Sequence, residues 1–410
     1  MRRWQNLTIA GALALALLTV GLVSGCGDHP RKRSLTPGKG LFDRFLAQAS
    51  TLDPAPRRAL VDELMEMLES GKSGGIPYRE DTVATFLYLG DEKDVRLAGD
   101  WNGWQPLDSL QHLEYTDLYY YQREFPSNAR LEYKYVVNGV WILDPQNRAK
   151  AIGLYGPNSE LVMPDYIPPA SVLPHPELRQ RGRISPFTFP TGKKGETRNI
   201  QVYLPFGYQP EDSLAYPTLY VQDGTDFINL AGMPEILDWS ISTGRCRPLI
   251  VVFVDPVDRE SEYWLDDKFI AMMCNKLVPM IDQRYKTLDE PGMRGMAGSS
   301  LGGATAVYAA HSRADVFGLA AGLSSALWIN NQYAIDIIEN DSTTSSRYYL
   351  DWGRFEVEDI RQTNARLASV LMEKGYNLRW TERPEGHSWH HWRSVIDEML
   401  ATLYPPESME

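Results

Sequence analysis

The spacing of apolar residues changes several times along this chain, and each change marks a different kind of structure. A short basic start, "MRRWQN", runs into the unbroken apolar stretch "LTIAGALALALLTVGLV" and then into the small residues of "VSGC". The polar segment "GDHPRKRSLTPGKG" follows and reads as a tether. From Leu41 to Ser70 apolar side chains recur at helical intervals, as at Leu60, Val61, Leu64, Met65 and Leu68. Pro54 and Pro56 divide that stretch into two helices, and "GKSGG" closes it. Between Pro77 and Tyr166 the runs shorten and fill with β-branched and aromatic residues: "TVATFLYLG", "DVRLAGDW", "YYYQREF", "LEYKYVVNG", "VWILD". That pattern predicts a small antiparallel sandwich, with the Asn-Gly pair of "VVNGVW" turning a hairpin.

A Pro-rich stretch, residues 167–180, reads as a linker. From Arg181 to the end, strand and helix patterns alternate. "NIQVYLP", "PTLYVQDG", "PLIVVFVDP", "MRGMAGSS", "RYYLDWG" and "YNLRWTERPEG" are strand-like. "DKFIAMMCNKLVPMIDQRY", "LGGATAVYAAH" and "VEDIRQTNARLASVLMEKG" are helical, and a last helix begins near Ser388. Alternation of this kind predicts an α/β domain, a mostly parallel sheet covered by helices on both faces, with its active site beyond the carboxyl ends of the strands. The expected division is therefore 1–26 leader, 27–76 tether and helical segment, 77–166 β-sandwich, 167–180 linker and 181–410 α/β domain.

Composition adds little to this partition but removes some functions. Of 410 residues 43% are hydrophobic and 23% charged, enough apolar material for sizeable cores. A net charge of −12 without a basic stripe excludes nucleic acid as a partner. The leader has the basic, apolar and small-residue parts of an export signal. It resembles a bacterial lipobox, in which Cys26 becomes the lipidated first residue of the mature protein and holds it at a membrane. Cys246 and Cys274 are open to two readings, a disulfide or two buried thiols. No Cys/His spacing suits a metal.

The candidate chemistry starts at Gly298-Ser299-Ser300-Leu301-Gly302, a Gly-x-Ser-x-Gly sequence between a strand and a helix. Such an elbow exposes the serine hydroxyl above the sheet, and its glycines let strand and helix approach. A serine attacks only when a base takes its proton. Of seven histidines, His387 follows Gly386 in the loop before the last helix, where a base reaches over the sheet. His390 and His391 fall inside that helix and read as solvent-facing or packing residues, and His311 points away. The base needs a carboxylate after "RYYLDWG". Asp351 lies within the strand, Glu356 on the following loop, and Glu358 and Asp359 suit a helix first turn.

The stretches "VYLPFGY", "LYVQDG", "DRESEY", "LVPMIDQRY", "GSSLGG", "DWGRFE" and "EGHSWHHW" resemble, in order, the esterase D and enterochelin-esterase group of α/β-hydrolases, which includes feruloyl and acetyl-xylan esterases. The resemblance implies Ser300 as nucleophile, Glu356 as acid and His387 as base. It implies an oxyanion hole from the Leu301 N–H with Gly224 or Thr225, and it sets Arg259 near the substrate or in a structural ion pair. No metal or organic cofactor is implied. "GDWNGW", "LEYKYVVNG" and "VWILDPQN" resemble an early-set, glycogen-binding type of module. There Trp104, Lys134 and Trp141 match sugar-contacting positions, unless the module instead packs beside the hydrolase and shapes its site. The expectation is a membrane-tethered serine esterase acting on a siderophore-like lactone or a polysaccharide-linked ester. An acyltransferase on the same core, or a carbohydrate-binding lipoprotein with an inert hydrolase domain, are the alternatives.

Overall fold

The computed structural model describes residues 35–70, 75–153, 156–190, 196–211 and 213–406; the apolar leader and Cys26 lie outside them. Two helices, Leu41–Ala49 and Pro54–Glu69, open the described chain, the second with Pro54 in its first turn, where a missing N–H costs nothing. Leu41, Phe42, Phe45, Leu60, Leu64 and Leu68 form one cluster with Tyr78, Leu87 and Leu118 of the sandwich, so the helical pair covers one of its sheets.

That sheet contains Tyr78–Glu80, Val83–Leu89, Leu118–Glu124 and Gln111–His112. The other sheet is built around Val95–Gly99, Arg130–Val137 and Gly156–Val162. Phe86, Leu97, Leu131, Tyr133 and Tyr135 fill the space between them. Arg130–Val137 pairs antiparallel with Val140–Ile142 across Asn138 (φ 48°) and Gly139 (φ 83°), the two left-handed positions that an Asn-Gly hairpin turn requires.

The described residues of the C-terminal domain form eight strands: β1 (Arg183–Pro190), β2 (Thr197–Leu204), β3 (Thr218–Gln222), β4 (Ile250–Val254), β5 (Arg294–Ser299), β6 (Leu319–Leu323), β7 (Arg347–Gly353) and β8 (Asn377–Arg383). Their order in the sheet is β1-β2-β4-β3-β5-β6-β7-β8. β2 pairs antiparallel with both β1 and β4, and the pairs from β4 to β8 are parallel. Central strands are continuous apolar runs because both faces are covered. In β4, Ile250, Val252 and Val254 join the core on one face, while Val251 and Phe253 join the core on the other. With the strands parallel, the ends of β3, β4, β5, β7 and β8 all open on one edge, where the candidate residues lie.

Four details differ from the sequence expectation or resolve it. Cys246 and Cys274 are free thiols in cores on opposite faces of the sheet, which keeps them from pairing. Burial pushes them up to about 12 and about 11. The helix expected over 267–285 carries a π turn at Met273–Leu277, just before Pro279, whose ring nitrogen cannot close an ordinary turn. The Pro-rich linker is strapped down: Arg393 donates to the Val172 carbonyl at 3.0 Å, and the His175 ring stacks on Trp239 at 5.7 Å. The sandwich is likewise docked. Arg130 N–H donates to the Pro384 carbonyl at 3.2 Å, and Phe125 meets Phe355 edge-on at 5.9 Å.

Candidate active site

β5 ends at Ser299, and Ser300 turns the chain with φ 54° and ψ −118° into the helix Leu301–Ser312. That backbone is strained for any residue with a Cβ, and it lifts the side chain above the sheet edge. The turn is possible because strand and helix nearly touch. A Cβ on Gly298 would sit 2.5 Å from the carbonyl carbon of Gly302.

His387 lies between β8 and the helix Trp389–Leu403, and Glu356 three residues beyond the end of β7. Their side chains meet, His387 Nδ1 standing 2.9 Å from Glu356 Oε2. A carboxylate accepts only, so Nδ1 carries a proton and donates it to Glu356. The other oxygen, Oε1, accepts from the Gly353 N–H at 2.9 Å and from the Ser324 hydroxyl. Burial works against ionisation of Glu356. The charge and hydrogen bond of His387, then His391 and the Ser324 hydroxyl, outweigh it and hold the carboxyl below its usual value. The rival acids are elsewhere: Asp351 is wholly buried in β7, and Glu358 and Asp359 begin the helix Glu358–Glu373.

Ser300 and His387 open into one pocket of about 410 Å³. Trp104, Lys134 and Trp141 of the sandwich line it as well, so the residues singled out as sugar-contacting positions face the candidate serine. Trp389 completes an aromatic wall. Arg259 lines the pocket too, its Nε and Nη2 each 2.9 Å from the Asp223 carboxylate. The structural ion pair is therefore present, made at the wall of the pocket. Leu301 and Gly224 each head a helix, where an N–H has no partner in its own helix. Thr225 needs correction as an oxyanion donor, because its N–H already donates to Asp255 Oδ1 at 2.7 Å. Among the described residues no group of three or more His, Cys, Asp or Glu is placed to hold a metal ion.

Sequence reasoning missed the layer behind the pair. Ser388 caps the last helix by accepting from the His391 N–H at 3.3 Å, which folds His391 back beneath the His387 loop. His391 is fully buried, 2.6 Å from Asp351, and so is not solvent-facing. Trp392 Nε1 donates to Ser324 Oγ at 2.9 Å, continuing the chain of groups behind Glu356. On the sandwich side, Asp100 accepts from Trp104 Nε1 at 3.0 Å and from the Glu132 N–H at 2.7 Å, with Gly386 pressed against its carboxyl. Burial, with the Glu132 charge, pushes Asp100 up to about 8. The signal for His391 was its four-residue offset from His387; for Asp100 there was none.

The Esterase family model matches residues 192–403. Uncharacterized protein YbbA of Bacillus subtilis is 27% identical over 206 residues, 45% of this chain and 81% of that protein. The endo-1,4-beta-xylanase/feruloyl esterase of Xylanibacter ruminicola is 29% identical over 237 residues, 54% of this chain but 31% of the relative. Among solved structures, ferric enterobactin esterase of Salmonella typhimurium superposes with a TM-score of 0.68 at 17% identity, over 80% of this chain and 95% of that one. That likeness establishes a shared fold and reaches into the sandwich, since it extends beyond the C-terminal domain.

Proposed function

We propose, from the premise that this chain belongs to the Esterase family and is a carboxylic-ester hydrolase, that it works through an acyl-enzyme on Ser300. Ser300 Oγ attacks the ester carbonyl while His387 Nε2 takes its proton, and Glu356 holds the ring in the required tautomer and stabilises the imidazolium. The N–H groups of Leu301 and Gly224 receive the oxyanion. The imidazolium returns its proton to the departing alcohol. Water, deprotonated by the same nitrogen, then releases the acid and restores the serine. The observation that carries this reading is the 2.9 Å contact of His387 with Glu356 beside a pocket shared with Ser300.

The pocket also speaks to substrate. Its charged lining is Glu132, Asp223 and Asp226 against Lys134 and Arg259, and Asp223 already neutralises Arg259. A multiply anionic iron chelate meets no net positive wall there, whereas a neutral ester carrying an aromatic or sugar ring finds Trp104, Trp141 and Trp389. A polysaccharide-linked ester is the favoured substrate, in keeping with the feruloyl esterase part of the Xylanibacter ruminicola relative's name. The test is turnover of feruloyl-arabinoxylan, acetylated xylan and a ferric-siderophore trilactone, each with and without an alcohol acceptor. Preference for the trilactone reverses the substrate, and acceptor esters forming faster than free acid make the enzyme a transferase. In the same panel Trp141→Ala is expected to raise KM for ring-bearing esters about 10-fold. Retention on insoluble glucan should not change; its loss would identify the sandwich as a separate sugar-binding module.

Export and lipidation at Cys26 belong to the same reading: each methylene of an attached chain adds about 0.8 kcal/mol of membrane affinity. Cys26→Ser is expected to stop incorporation of labelled fatty acid and move the protein to the soluble fraction. Unchanged labelling removes the anchor.

A further inference from the structure

His391 sits behind the candidate acid with one ring nitrogen hydrogen-bonded and the other set against a carboxylate. Nε2 stands 2.6 Å from Asp351 Oδ1, and Nδ1 stands 3.0 Å from the Gly386 carbonyl oxygen. Nδ1 is also 3.8 Å from Glu356 Oε1. Nδ1 donates to the Gly386 carbonyl, so a neutral ring would set its Nε2 lone pair 2.6 Å from a carboxylate oxygen; that contact is off the line of a hydrogen bond, and the doubly protonated ring turns its repulsion into an ion pair. The ring and both carboxylates are fully buried, so water does not screen them.

Resting on the Ser300–His387–Glu356 reading, we propose that His391 is a positioning residue: a permanent imidazolium, locked by Asp351, that keeps Glu356 charged and holds the backbone of the His387 loop. The charges then alternate from Asp351 through His391 to Glu356, which faces the positive charge that forms on His387 during the reaction. Every group facing the ring is compatible with this. Asp351 accepts from the Thr381 hydroxyl and lies 3.5 Å from Arg383 Nε, from the neighbouring strand β8. Glu385, 3% exposed, adds negative charge from the loop after β8. Burial alone would strip the second proton from His391, but Asp351 first, then Glu385 and Glu356, push it up to about 9. The Gly386 carbonyl held by Nδ1 belongs to the residue immediately before His387, so one ring fixes both the charge of the acid and the approach of the base.

The test compares pH profiles of kcat/KM on a small aryl ester for the full chain, His391→Gln, and His391→Gln with Asp351→Asn. Removing a buried positive charge raises the proton affinity of what remains. The acid limb of the single variant should therefore move up by about one pH unit, with kcat falling ~10-fold and KM little changed. The double variant also removes the negative charge and should bring the limb back. A merely structural residue would not give a shift that reverses in this way. A folded His391→Gln protein with an unmoved limb overturns the proposal. Should that variant fail to fold, the wild-type protein labelled with ¹⁵N-histidine decides it: at pH 8 one imidazole protected from exchange should carry protons on both nitrogens, and none doing so overturns the assignment. A wild-type protein that neither hydrolyses aryl esters nor reacts with a fluorophosphonate overturns the triad reading itself, and this one with it.

Discussion

Ser300→Ala is expected to lower kcat/KM on a small aryl ester roughly 10⁶-fold, as removal of a serine nucleophile does in other triads. That factor corresponds to about 8 kcal/mol of barrier, more than any neighbouring contact supplies. The same change should abolish fluorophosphonate labelling while leaving the melting temperature near that of the wild type, because the substitution removes a strained, pocket-facing hydroxyl and no packed atom. Ser299→Ala is the control. Its Oγ is buried and, among the described residues, finds no hydrogen-bond partner, so its loss should change activity by no more than a few-fold. If Ser299→Ala is the crippled variant, the elbow has been read one residue out of register.

The reason one serine was legible from the sequence, and its surroundings were not, lies in the range of the forces involved. The elbow is local: an apolar strand, glycines where strand and helix touch, then an Ala-rich helix. β7 was equally plain, since "RYYLDWG" coincides with Arg347–Gly353. The acid was narrowed but not fixed by spacing, because Asp351, Glu356, Glu358 and Asp359 all follow one strand and only side-chain direction separates them. Thr225 went astray for a related reason: Asp255, from the end of the neighbouring strand β4, captures its amide, a contact 30 residues distant in the chain. Least legible was the sandwich. Its place beside Ser300 depends on Asp100 against Gly386 and on Arg130 against Pro384, contacts between residues far apart in sequence. The resemblance to a glycogen-binding type of module singled out Trp104, Lys134 and Trp141; docking decides what they face. They face the serine, and so the sandwich and the hydrolase domain together form one pocket.

Glu356→Gln is expected to cost about 10⁴-fold in kcat with little change in KM, and the donors around the carboxylate explain why so small a change does so much. Oε1 receives the Gly353 N–H and the Ser324 hydroxyl, both of which call for an acceptor, and the His391 ring lies 3.8 Å away. A glutamine placed there keeps its carbonyl oxygen on that side and turns its NH₂ toward His387. Nδ1 must then accept, which drives the ring proton to Nε2, the nitrogen that should receive the serine proton. The ring is held in the wrong tautomer, and the positive charge that forms on it loses its counter-charge. Flipping the amide instead sets NH₂ against the Gly353 N–H and the His391 cation, which is worse. Asp359→Asn, in the first turn of the helix Glu358–Glu373, should leave kcat within a few-fold of wild type. Activity of each variant across pH, with labelling of Ser300 as a check that the nucleophile is intact, separates the two outcomes. Loss confined to Asp359→Asn would move the acid onto the helix and detach His387 from the partner the fold gives it.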